Sequence, residues 1–245
     1  VTGVQTCALP ISDIWTLVLE DGMRLTNTAV RIPFSTPSGP LPNQDLEMVE
    51  RDILRLIRDE WLGKPIRFKP SSKGKTAKLD RHGRVPALIA TPQNNLLSEQ
   101  IIQRGLSLFD ANYTLIPCTK ELQDAETKAQ RQKRGLWADR DKQNRLIFTA
   151  KPGPLLRQID ETVTVLARVK TVGIREKRHY LNFGTKWRED LTVELNPKTS
   201  LKLYNGTDYL KRLSGRWVKV RGVVKRKGGP MIEVKNRNQL ELLDP

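Results

Sequence analysis

The chain has 245 residues, of which 38% are hydrophobic, and this suits one large or two ordinary soluble domains. No apolar run approaches the ~20 residues that a membrane-spanning helix needs. The formal net charge is +16, and residues 151–245 hold 21 of the 43 basic side chains but only 10 of the 27 acidic ones. This imbalance favours a polyanionic partner, and a basic surface without any partner is the alternative.

The first eleven residues resemble an in-frame translation of a common sequencing adapter. We therefore treat residues 1–11 as non-native and expect the native N-terminus to be missing. This leaves the cellular location unknown, and an exported or periplasmic protein is compatible with the sequence. Cys7 falls in this segment, so Cys118 remains as a single thiol that cannot form an internal disulfide framework.

The next part of the chain alternates strands and helices. Residues 15–27 predict a hairpin, because an apolar run is followed by the turn signal Glu20-Asp21-Gly22 and then by extended residues from Arg24. Further elements are predicted downstream: a helix over 43–63, strands around 66–68 and over 85–90, and helices over 97–108 and 122–135.

A proline and glycine cluster at residues 151–154 marks a predicted domain boundary. It gives a first domain over 12–150, a linker over 151–159 and a basic second domain over 160–245. The second domain alternates apolar residues around 163–167, 191–195, 218–222 and 232–234, with a helix predicted over 201–213. This pattern favours a five-stranded OB-type barrel, with an SH3-like barrel as the alternative.

Three motifs in order resemble the staphylococcal-nuclease-like (thermonuclease) family over residues 14–138. They are Leu79-Asp-Arg-His-Gly-Arg84, the helix from Leu96 to Gly105-Leu106, and Glu126-x-x-Ala129 followed by Gly135-Leu-Trp137. The resemblance implies an α+β fold, mainly β, with an OB-fold barrel and three helices. The second domain is similar to the OB-like module that follows thermonuclease domains in some bacterial proteins, on residues 180–187, 215–222 and 229–234.

Family members hydrolyse phosphodiesters with Ca²⁺ held by carboxylates, a Glu that handles water and two Arg. The resemblance places the arginines at Arg84 and Arg24, whose planar forks suit phosphate. The carboxylates are missing from the matched positions. Trp15 precedes Thr16 at the first ligand position.

The second ligand pair falls on Ala29-Val30, or on Arg31-Ile32 if the family proline is Pro33. In the latter alignment Phe34 replaces the Glu. Between Asp21 and Asp45 the sequence contains no acidic residue. We therefore assign no metal ligands and expect no cofactor, except Ca²⁺ if the family activity is retained.

Basic clusters are the remaining binding candidates, although charged loops are often only solvated. In the first domain they are Lys73, Lys75, Lys78 and Arg81 beside Arg84. In the second domain they are Arg175, Lys177, Arg178, Lys225, Arg226 and Lys227, together with the aromatic residues Tyr180 and Trp187. Cations mixed with aromatic rings suit single-stranded nucleic acid, while the same rings would otherwise belong to the barrel core.

The leading hypothesis is a thermonuclease-like protein that binds nucleic acid, with single strands favoured, and cleaves it weakly or not at all. The first alternative is an active Ca²⁺-dependent endonuclease that uses unaligned acids such as Asp21 or Asp80. The second alternative is a non-catalytic protein-interaction scaffold. The oligomeric state is left open.

Overall fold

The computed structural model describes residues 5–10, 14, 16–33, 43–71, 78–112, 118–186 and 188–243. They form a mixed α+β protein with two compact units that divide between residues 143 and 144. Within the described residues, no helix has the length and apolar character required to cross a membrane.

Within the described residues, the first unit contains seven strands and three helices, and a fourth helix spans its boundary with the second unit. The strands are β1 Gln5–Pro10, β2 Thr16–Leu19, β3 Arg24–Asn27, β4 Val30–Arg31, β5 Pro65–Pro70, β6 Val85–Ala90 and β7 Leu108–Phe109. The helices are α1 Asn43–Glu60, α2 Leu97–Gln103, α3 Thr119–Arg131 and α4 Arg140–Leu146, with a 3₁₀ turn at Gly135–Trp137.

Five strands of the first unit form a barrel in the order β1-β2-β3-β6-β5, with β1 also paired to β5. The pair β3–β6 is parallel and the others are antiparallel. The predicted hairpin, strands 66–68 and 85–90 and the helix over 43–63 are confirmed. Strand β1 lies in the segment that resembles adapter translation, and the origin of that segment stays a prediction.

The predicted helix over 97–108 is too long, because α2 ends at Gln103. Gly105 follows with φ +71°, a conformation that stops the helix and turns the chain. Leu108 therefore lies in β7, which pairs with β4 outside the barrel.

In its described residues, the second unit contains eight strands and three short helices. The strands are β8 Ile147–Phe148, β9 Thr162–Arg168, β10 Thr171–Ile174, β11 His179–Asn182, β12 Thr192–Leu195, β13 Trp217–Lys227, β14 Gly229–Glu233 and β15 Leu240–Leu243. The helices are α5 Pro152–Leu156, α6 Pro197–Tyr204 and α7 Thr207–Arg212.

Strands β9 and β10 are one bent strand interrupted at Val169 and Lys170. Val169 still donates its N–H to Arg216 beside β13, whereas Lys170 donates to Asn182 of β11. Counted in this way, five strands pair in the order β9/β10-β11-β12-β14-β13, and β13 returns to β9. The third and fifth strands, β12 and β14, are parallel, as are β3 and β6 of the first unit. Strands β8 and β15 are additions to this arrangement.

Two predictions for the second unit are wrong. The segment 151–159 is no linker, because it contains α5, whose Leu155 is 0% exposed in the core of this unit. Proline in the first turn is compatible with a helix, so Pro152 begins α5 where the sequence suggested a break. The single helix over 201–213 is split into α6 and α7 by Asn205 and Gly206, with φ +54° and +104°.

Candidate nucleic-acid interface

The tight turn from Asp80 to Arg84 leads into β6 and positions the first predicted arginine. The Asp80 N–H donates to the Arg84 carbonyl at 2.8 Å, and Gly83 turns the chain with φ +71°. Oδ1 of Asp80 accepts the backbone N–H groups of His82 and Arg84 at 2.8 and 3.0 Å. The carboxylate therefore fixes the turn from which the Arg84 side chain projects.

Arg84 is held from two sides. Its Nε donates to Oδ2 of Asp80 at 2.8 Å and its Nη1 to Oγ1 of Thr16 at 3.2 Å, with the side chain 15% exposed. Partial burial raises the pKa of Asp80, but hydrogen bonds from the Arg84 backbone, the Arg84 guanidinium and the His82 backbone outweigh it. The pKa of Asp80 falls to about 2. The Asp80 carboxylate is thus engaged in the ion pair with Arg84.

The structure brings the second predicted arginine to the same turn. Arg24, at the start of β3, donates from Nη1 to the His82 carbonyl at 3.3 Å and is exposed. Arg81 donates from Nε to Nε2 of His82 at 3.0 Å, and Lys78 lies just before the turn in an exposed position. Lys73 and Lys75 lie outside the described residues. Four of the predicted cations of this domain thus lie on or beside one turn.

The positions assigned to the second ligand pair hold apolar side chains. Ala29 and Val30 are buried in a small core beneath α2 and α3, and Ile32 is buried as well. Neither pair offers a carboxylate, and alkyl and guanidinium groups cannot coordinate Ca²⁺. The side chains described at these positions do not fit a calcium ion. Trp15 and Phe34 lie outside the described residues.

Asp21 has the role of a turn former, since its Oδ1 accepts the Met23 N–H at 2.9 Å. In the described part of the chain, no group of three or more His, Cys, Asp and Glu side chains could share a metal ion.

One carboxyl group beside the second ligand position, that of Asp110, was not predicted from the sequence. The Asp110 N–H donates to the Ala29 carbonyl at 3.0 Å, and Oδ1 of Asp110 accepts the Asn112 N–H at 2.9 Å. Burial raises the pKa of Asp110, and the Asn112 hydrogen bond and the charge of Arg31 oppose the rise. Only the pairing of β4 with β7 makes these residues neighbours, so local sequence patterns carry no signal for it.

Residues 58–139 match the family model of the staphylococcal nuclease homologues, about a third of the chain. The first unit contains a staphylococcal-nuclease-like domain. The match includes the turn with Arg84, whereas Arg24 and the ligand positions precede it. No curated protein matches the chain. For a domain of this family, nucleic acid is the expected kind of partner.

Two motifs of the nuclease-like domain meet at their glycines. The Leu136 N–H donates to the Gly105 carbonyl at 2.8 Å, and both Gly105 and Gly135 have positive φ. A Cβ on Gly105 would lie 2.1 Å from the Arg134 carbonyl oxygen, and one on Gly135 would lie 2.4 Å from that of Gly105. These glycines therefore hold the end of α2 against the end of α3, and their role is structural.

Two of the predicted cations of the second unit, Arg175 and Lys227, lie at one face of its sheet. Arg175, Lys177 and Arg178 form the turn between β10 and β11, closed by the Arg175 N–H on the Arg178 carbonyl at 3.0 Å. Lys225 to Lys227 were predicted in a hairpin turn, but β13 continues to Lys227 and the turn lies at Gly228, with φ +75°.

Aromatic residues of this region divide between face and core. Tyr180 is half-buried and lines an open cavity of about 430 Å³ together with Arg175 and Lys227. Phe183, the next aromatic residue along the chain, packs against the hydrophobic core. Trp187 lies outside the described residues.

A buried carboxylate, absent from the predicted site, lies between the turn that precedes β11 and the end of β13. Glu194 of β12 is 6% exposed, and its Oε1 and Oε2 contact Arg178 Nε at 2.5 Å and Lys227 Nζ at 2.8 Å. The hydrogen bond to Glu194 raises the pKa of Lys227, so this lysine stays charged. The sequence shows Glu194 only as a polar residue in an apolar strand, and the register of β11 with β12 is needed to place it beside Tyr180.

Proposed function

We propose that this protein binds nucleic acid, with single strands favoured, and that its nuclease-like domain cleaves it weakly or not at all. Arg24 and Arg84 grip the phosphate backbone at the Asp80 turn. The cationic face of the second unit holds the strand with Arg175, Arg178 and Lys227 around Tyr180. The observation that carries the proposal is this cluster of cations around an aromatic ring, in the more basic part of the chain.

Weak cleavage follows from what occupies the ligand positions. Ala29 and Val30 are buried and apolar, and Asp80 is engaged by Arg84. A positioned general base is worth about 10²–10⁴-fold in rate, so phosphate binding without such a group holds the substrate but leaves it intact. We expect purified protein to bind labelled strands equally well in Ca²⁺ and in EDTA and to leave them intact.

The proposed binding of nucleic acid is tested with a double variant that lacks one arginine and one lysine. Replacing both Arg175 and Lys225 by Ala should weaken single-strand binding about tenfold and lower the slope of log affinity against log salt by about 1.4, since each phosphate contact on a single strand contributes about 0.7. Lys202→Ala is the control, because Lys202 is also exposed but lies on α6, distant in sequence from both substituted residues. Equal affinity and salt slope in wild type and double variant would contradict this role.

The second candidate function is a Ca²⁺-dependent endonuclease, and Asp110 is the observation that favours it. Its backbone is hydrogen bonded to Ala29, so a carboxyl group lies beside one of the assigned ligand positions. Efficient degradation in Ca²⁺ that Arg84→Ala and Asp110→Asn abolish, and that Asp21→Asn leaves intact, would establish this function and overturn the first proposal.

A further inference from the structure

The floor of the cavity on the second unit consists of two rows of residues that run across the sheet from strand to strand. Gly173, Tyr180 and Glu194 stand opposite one another on β10, β11 and β12. Residues directly opposite in paired strands point to the same face. All three residues line the cavity.

Asn182, Thr192 and Met231 form the second row and line the same cavity. All three are half-exposed. The floor therefore offers an aromatic ring, an amide, a hydroxyl, a thioether and one carboxylate.

Tyr180 is placed as a stacking platform. A Cβ on Gly173 would lie 3.6 Å from Cδ2 of Tyr180, so the ring lies along the strand where Gly173 leaves no side chain. A glycine inside a strand often marks a place where a ring or a ligand approaches closely. Every nucleobase can stack on such a ring, so Tyr180 supplies affinity without sequence preference.

Glu194 supplies the preference for one base over the others. A carboxylate accepts about four hydrogen bonds and donates none, and the contacts with Arg178 and Lys227 occupy one site on each oxygen. The remaining lone pairs can accept hydrogen bonds from the N–H groups of a ligand. Among the bases, guanine presents two adjacent donors, N1–H and the N2 amino group, on its Watson–Crick edge, next to the acceptor O6. The charged Lys227 amine beside Glu194 matches that acceptor.

We propose that this cavity binds an unstacked guanine base of a single strand, with the ring on Tyr180, the N1 and N2 donors on Glu194 and O6 toward Lys227. The proposal rests on the proposed function, since it assumes that this face binds single strands. Arg175, at the rim, and Lys225, opposite Met231, are placed for the flanking phosphates.

The test compares three labelled oligothymidylates by fluorescence anisotropy: one with a central deoxyguanosine, one with deoxyinosine there and one with thymidine only. Inosine lacks only the N2 amino group. Wild-type protein should bind the guanosine strand about tenfold more tightly than the inosine strand, the size of one good base-edge contact. This comparison needs no variant, so it does not depend on whether a substituted protein folds.

Glu194→Gln should reduce the guanosine preference to below about twofold, because the amide offers one acceptor oxygen where the carboxylate offers two. Glu233→Gln is the matched control. Glu233 stands opposite Glu194 on β14 and pairs with Lys235 at 3.2 Å, but it does not line the cavity. It should keep the preference.

Three results would overturn the guanine assignment: wild type that binds all three strands equally, Glu233→Gln that loses the preference as fully as Glu194→Gln, or Glu194→Gln that tightens all three equally. The last result would mean that Glu194 only competes with phosphate for Arg178 and Lys227. Wild type that binds none of the strands would instead refute the proposed function.

Discussion

At the residue scale, the pairing of Asp80 with Arg84 has a consequence for stability that depends on pH. The pKa of Asp80 falls from 3.8 to about 2 on folding. Because the folded state holds this proton less tightly than the unfolded state, the stabilisation is complete above the unfolded pKa and is lost as the pH falls toward 2. Asp80→Asn should therefore lower the free energy of unfolding by about 1–2 kcal/mol at pH 7.

Urea unfolding of wild type and Asp80→Asn at a series of pH values checks this. The difference between the two proteins should close between about pH 5 and pH 2, since protonation of wild type removes the same charge that the variant lacks. A difference that stays constant over this range would show that the Asp80 charge contributes nothing to the fold.

At the element scale, the contact between Gly105 and Gly135 explains why two motifs of the nuclease-like domain contain glycine. Gly105→Ala places a Cβ 2.1 Å from a backbone oxygen, so the ends of α2 and α3 must separate. Gly63→Ala is the matched control, because Gly63 has φ +70° against +71° for Gly105 but no atom within 4 Å of its added Cβ.

We expect Gly63→Ala to cost about 1 kcal/mol, the price of the left-handed conformation, and Gly105→Ala to cost at least about 2 kcal/mol more from overlap. Chemical denaturation of the two variants measures the difference. Equal costs would mean that the backbone relaxes around the new methyl group.

Elements with a strong local signal could be predicted from the sequence, and elements defined by partners could not. The hairpin at Asp21-Gly22 and helix α1 follow from turn residues and from apolar spacing. Strand β11 was missed as an element because His179 interrupts its alternation, although His179 is buried with Nδ1 2.7 Å from Oγ of Ser200. A partner 21 residues away thus makes a polar residue suitable for a core position.

The candidate site divides in the same way. Arg84 was predicted from a sequence motif, and Arg24 was predicted from its place after the hairpin turn. Glu194 and Asp110 were missed, because each becomes part of a site only through strand pairing with a distant segment. Isolated acidic residues carry no such information in the sequence.

At the scale of the whole molecule, two units repeat one strand order and use it differently. In both, the third and fifth strands pair in parallel around a hydrophobic core. The nuclease-like domain places its cations on a turn beside the barrel, at Arg24 and Arg84. The second unit places them on the turn that precedes β11 and at the end of β13, around Tyr180. The first arrangement suits contact with phosphate alone, whereas the second, a ring among cations, suits a single strand.

The boundary between the units determines which fragment folds alone. A fragment over 144–245 retains β8, which pairs with β9, and α5, which buries Leu155. A fragment that begins at residue 160 loses both. Since burial of one Leu side chain contributes about 1.5–3 kcal/mol, the shorter fragment should be less stable by at least that amount.

Leu155→Ala in the longer fragment should cost about 2–5 kcal/mol, as large-to-small changes in a core do. Thermal and urea unfolding followed by circular dichroism compare the three proteins. Equal stability of the two fragments would restore residues 151–159 to the role of a linker. Lower stability of both the shorter fragment and Leu155→Ala would identify α5 as part of the core that supports the Tyr180 face.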